Sequence, residues 1–92
     1  MKTIAIIAHN GKKAEMVQFL NEYRNVLESK EIRLISTGTT GSKAETAGFE
    51  VEKLLSGPLG GDAQIASRLA EGKVDMVIFF RDPMDKHPHE PD

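Results

Sequence analysis

The chain has 92 residues, 39% of them hydrophobic and 28% charged, with a formal net charge of −2 and no cysteine. That length allows one domain with a thin core, burying about 60–65% of its unfolded surface. The charge balance excludes a general polyanion binder such as a nucleic-acid coat, so a phosphate ligand would need a local site. Absent thiols exclude disulfides and thiol chemistry and fit a reducing cytoplasm.

Residues 4–8, Ile-Ala-Ile-Ile-Ala, are a continuous apolar run of the kind found in strands buried on both faces. The run stops at His9, ahead of Lys12 and Lys13, which is too short for a signal-peptide core. No segment approaches the ~20 apolar residues of a membrane span. From 12 to 27, Met16, Phe19, Leu20, Tyr23 and Leu27 recur at helical spacing and predict one amphipathic helix. A second strand is expected over 32–35. Thr37-Gly38-Thr39-Thr40-Gly41 reads as a turn, since two glycines and three threonines suit neither a helix nor a strand interior. A short helix over 42–47 stops at Gly48, and 49–55 reads as a third, weaker strand.

Ser56-Gly57-Pro58-Leu59-Gly60-Gly61-Asp62 is a second glycine-rich loop. Residues 63–71 are helical, with Ile65, Ala66, Leu69 and Ala70 on one side and Gly72 as the stop. Residues 74–80 are the strongest strand, apolar almost throughout. The tail, 81–92, holds three prolines and two histidines and is irregular. Strands alternating with helices imply an α/β domain with a parallel sheet, whose ligands gather beyond the carboxyl ends of the strands. The unusual segments 9–13, 37–41, 56–62 and 81–92 all follow strands, so a parallel sheet would bring them to one edge.

Each segment has two readings. The 37–41 stretch is either an anion cradle of hydroxyls and unhindered N–H groups or a plain tight turn. Ser56 and Gly57 are a second phosphate contact or a helix lead-in. Asp62 is a base or, as its position favours, a helix cap. Lys13 is a point-charge phosphate partner or an ordinary solvated lysine. His9 stands directly after a buried strand. His87-Pro88-His89-Glu90-Pro91-Asp92 packs titratable groups into a stiff loop. Zinc on His87, His89 and a carboxylate is the competing reading, but the spacing matches none of the common ligand patterns.

Ile6-Ile7-Ala8-His9, Thr37-Gly38-Thr39-Thr40-Gly41, Ser56-Gly57-Pro58-Leu59-Gly60-Gly61-Asp62, Ile78-Phe79-Phe80-Arg81-Asp82-Pro83 and Pro88-His89-Glu90-Pro91-Asp92 together resemble the methylglyoxal synthase family. They stand in its order, at nearly its spacing, across the whole chain. The resemblance implies one three-layer α/β domain over 1–92 with a mainly parallel sheet, of flavodoxin or Rossmann type. It implies a lyase that converts dihydroxyacetone phosphate to methylglyoxal and phosphate. Asp62 would be the base, His89 would move protons between substrate oxygens, and Asp92 would assist it. His9, Lys13, Thr37, Gly38, Thr39, Thr40, Ser56 and Gly57 would hold the substrate, chiefly its phosphate. The family is homohexameric and cytoplasmic, with no metal or organic cofactor and no nucleic-acid or membrane partner. Inorganic phosphate would be product or inhibitor.

Such chemistry asks for these residue types. Removing a proton beside a carbonyl needs a carboxylate base and donors for the developing enediolate oxygen. Phosphate then leaves fastest when its C–O bond stands perpendicular to the enediolate plane, so the cradle must fix that angle as well as affinity.

Two departures from the family pattern stand out. Asn10 replaces an aspartate, and the sequence stops at Asp92, where the family continues with another strand, helices and a further phosphate-binding arginine. The 74–80 strand is therefore expected to be left with an exposed edge, which invites oligomerisation or low stability. Two alternatives follow: an effector-binding module like those appended to carbamoyl phosphate synthetases, or an inactive shortened remnant. A module that only binds has no need of Asp62, His89 and Asp92 together.

Overall fold

The computed structural model describes residues 1–54 and 60–83, apart from the side chain of Asp62. The isoleucine-rich start forms β1 (Lys2–Ala8), a 3-10 turn (Asn10–Lys12) and then α1 (Lys13–Glu22) and α2 (Arg24–Leu27). β2 (Ile32–Ser36), α3 (Gly38–Thr46), β3 (Glu52–Lys53), α4 (Gly61–Ala70) and β4 (Met76–Phe80) follow. The sheet order is β3-β2-β1-β4, and every pairing is parallel, as the alternation of strands and helices predicts.

Alternation along β1 divides the core between two faces. Ile4, Ile6 and Ala8 meet Met16, Leu20, Leu27, Ala44 and Phe49, so α1, α2 and α3 cover one face. Ala5 and Ile7 meet Ile35, Ile65 and Val74 on the other, beneath α4. Three layers result. Arg68 of α4 bonds Glu52 of β3 at 2.8 Å, and Arg33 of β2 pairs with the same carboxylate.

Four sequence expectations change. The helix expected over 12–27 breaks at Tyr23, after which Arg24 donates to the carbonyl of Ala47 at 2.7 Å and lies 4.2 Å over the Phe49 ring. Those contacts hold α2 against the end of α3. The expected turn over 37–41 is instead the start of α3, with Thr37 extended at the cap position and the Gly41 N–H bonded to the Thr37 carbonyl at 2.8 Å. Gly41 is required by close approach: a Cβ there would fall 2.5 Å from both Ser36 Oγ and Lys53 Cγ. The third strand shrinks to two residues because Phe49 turns into the core ahead of it. Finally, the strand expected over 74–80 is shorter, beginning at Met76. Val74 packs in the core before β4 begins, Asp75 pairs with Thr3 through both N–H groups, and Met76 and Phe79 are exposed.

Candidate functional site

β1 runs past its neighbour. Ile6 is level with Ser36, the last residue of β2, so Ala8 projects beyond the β2 ladder. Buried peptide groups demand partners, and side chains supply them at Ala8. The Thr40 hydroxyl accepts from the Ala8 N–H and donates to the Ala8 carbonyl, each at 3.3 Å. Lys13 Nζ donates to the same carbonyl at 2.8 Å. The Thr37 hydroxyl donates to Thr40 Oγ1 at 3.2 Å. Four residues expected to hold a ligand, His9, Lys13, Thr37 and Thr40, are therefore buried together around one strand end.

This arrangement divides the labour within Thr37-Gly38-Thr39-Thr40. The hydroxyls of Thr37 and Thr40 join α3 to β1. Thr37 makes no side-chain cap, and the first-turn N–H groups of a helix lie beyond its internal bonding. The positive end of the α3 dipole lies there too. Gly38 is half-buried and Thr39 exposed. Beside the α3 start opens a cleft of about 430 Å³ lined by Asn10, Lys13, Thr39, Ser42, Lys43 and Thr46. A second cleft of like volume, lined by residues including Leu27, Arg33 and Phe49, lies at the amino ends of β2 and β3 and holds no expected site residue.

His9 is 3% exposed and joins two strand ends. Its N–H donates to the Phe80 carbonyl at 3.0 Å, and its Nδ1 accepts from the Asp82 N–H at 2.9 Å. The Phe79 ring stands edge-on to it, with centroids 5.1 Å apart. The Asp82 carboxylate lies against Gly11, where a Cβ would sit 2.5 Å from Oδ2. Glu15, hydrogen-bonded to Lys12 at 3.0 Å, raises the Lys12 ammonium above its ordinary pKa, and Asp82 adds to the effect.

Asp82 and Gly11 carried no role in the sequence reading. One cue was available: Asp82 follows β4 as His9 follows β1. Asp62 lies in the first turn of α4, and Gly60, with φ of 103°, occupies the cap position that Asp62 was expected to fill. Ser56, Gly57, His87, His89 and Asp92 lie outside the described residues.

A family model described as MGS-like domain matches residues 15–92. The chain is 53% identical to a methylglyoxal synthase of Clostridium beijerinckii, over 97% of this chain and 74% of that protein. A methylglyoxal synthase of Burkholderia vietnamiensis is 56% identical over 97% of this chain and 68% of its own length. Among solved structures, a methylglyoxal synthase from Elizabethkingia anophelis superposes with a TM-score of 0.88 at 46% identity. The chain spans 59% of the length of that solved protein, which covers 99% of this chain.

Proposed function

The chain belongs to the methylglyoxal synthase family, and from that premise we propose that it converts dihydroxyacetone phosphate to methylglyoxal and inorganic phosphate. The observation that carries this reading is the convergence of His9, Lys13 and the α3 start around the projecting end of β1. A helix start and an ammonium at one strand end suit a phosphate dianion. In this reading the N–H groups of Gly38, Thr39 and Thr40, with Ser56, Gly57 and Lys13, hold the phosphate, while His9 addresses another substrate oxygen.

Asp62 then removes the proton beside the carbonyl, giving an enediolate. The enediolate's electrons fall back to expel phosphate as the C–O bond breaks, leaving the enol of methylglyoxal, whose terminal carbon then takes up a proton from solvent to give methylglyoxal. His89, assisted by Asp92, moves the proton between the substrate oxygens. Fixing the phosphate at the α3 start sets the angle of the leaving C–O bond, which separates elimination from simple isomerisation. The working assembly is a cytoplasmic homohexamer without metal or organic cofactor.

The test is to incubate the purified chain with dihydroxyacetone phosphate and measure methylglyoxal and phosphate together. Equal amounts of both should form, and Asp62→Asn should slow their formation about 10²–10⁴-fold with the fold intact. Phosphate binding without either product would instead fit an effector-binding module.

A further inference from the structure

We propose that the main chain of Asp82 holds His9 as the neutral Nε2–H tautomer, making it a hydrogen-bond donor to a substrate oxygen and not a proton acceptor. The donor role rests on the functional reading above; the tautomer rests on the bond itself. A peptide N–H can only donate. The Asp82 N–H lies 2.9 Å from His9 Nδ1, so Nδ1 must present its lone pair, and the ring proton sits on Nε2.

The surroundings keep this arrangement in place. The His9 N–H is bonded to the Phe80 carbonyl at 3.0 Å, two residues before Asp82, so backbone and ring of one histidine grip the same exit from β4. Phe79 stands against the ring at an interplanar angle of 85°. Turning the ring over would replace Nδ1 with a carbon and lose the bond. Gly11 matters because it leaves room for the Asp82 carboxylate: a Cβ there would come within 2.5 Å of Oδ2. Asp82 is thus a positioning residue, acting on the tautomer through its peptide group. A neutral donor stabilises the oxygen on which charge develops without competing for the substrate proton, which leaves proton removal to a carboxylate.

Nitrogen-15 NMR of the histidine-labelled full chain at neutral pH reads this directly. Nδ1 should show the shift of a bare ring nitrogen and Nε2 that of a protonated one. Asp82→Ala keeps the peptide N–H and should leave this signature in place, whereas Asp82→Pro should abolish the preference. A protonated Nδ1 in the wild-type spectrum would overturn the assignment, whether or not the proline variant folds. The donor role is read from KM for dihydroxyacetone phosphate. His9→Gln, which can place an amide donor near Nε2, should bind better than His9→Asn by about 3–10-fold, the range expected for one neutral hydrogen bond. Equal KM values, or the reverse order, would overturn the donor role. Absence of turnover in the wild type would sink the functional reading alone and leave the spectrum to decide the tautomer.

Discussion

β1 and β4 are both apolar runs paired residue by residue, yet they have different fates. Ile6 in β1 is 2% exposed, whereas Met76 and Phe79 in β4 are 53% and 43% exposed. The cause is position in the sheet. β1 lies between β2 and β4, under helices on both faces, while β4 has only β1 beside it among the described residues. Apolarity decides that a segment becomes a strand, and strand order decides what that strand contributes. Here the central strand contributes stability, and both strands contribute through their ends, where His9 meets the backbone of Asp82.

The sharpest way to break this contrast is to truncate one side chain in each strand. Ile6→Ala should cost about 2–5 kcal/mol in chemical denaturation, as large aliphatic truncations in cores do. Met76→Ala should stay within about 0.5 kcal/mol, as exposed changes usually do. Similar losses from the two would mean that β4 is buried in solution. The next effect concerns the projecting end of β1. Thr40→Val keeps the shape but removes the partner of the Ala8 N–H, the Ala8 carbonyl keeping its bond from Lys13, and should cost about 1–3 kcal/mol, while Thr39→Val at the exposed neighbouring position should be nearly neutral in stability. An equal loss at both would show that the Thr40 latch does not hold β1.

The smallest effect falls at Lys12. Because Glu15 raises its pKa above the ordinary 10.5, the associated stabilisation is fully present below pH 10.5 and is lost as pH rises through the higher folded value. Lys12→Met should therefore lower the melting temperature slightly and equally at pH 6 and pH 8. A difference between those two pH values would point to another titrating group.

The sequence showed the fold more clearly than the site. Periodicity and strand–helix alternation identified a parallel α/β sheet, because those patterns follow from burial. It misjudged Thr37-Gly38-Thr39-Thr40-Gly41, where local propensity argued for a turn. Tertiary contact prevailed there: Gly41 meets Ser36 and Lys53 closely, and the threonine hydroxyls find partners on β1 and each other. The bonds between Thr40 and Ala8 join residues 32 apart in sequence and leave no local trace. Motif resemblance singled out His9 and Lys13, but not that Lys13 reaches back to Ala8. Asp82 stood within one of the family motifs but received no role, because its contact with His9 is made by the backbone, which every residue shares. The exposed β4 edge was expected from the family pattern and not from the strand's own composition.

The central claim is that ligand chemistry belongs to the carboxyl edge, at the start of α3. It is tested most directly by titrating the labelled chain with inorganic phosphate and following backbone amide shifts. Saturable movement of the Gly38, Thr39 and Thr40 amides, with little change at Leu27, Arg33 or Phe49, is the expected result. Still amides at the α3 start, or shifts centred on the cleft at the amino ends of β2 and β3, would contradict it.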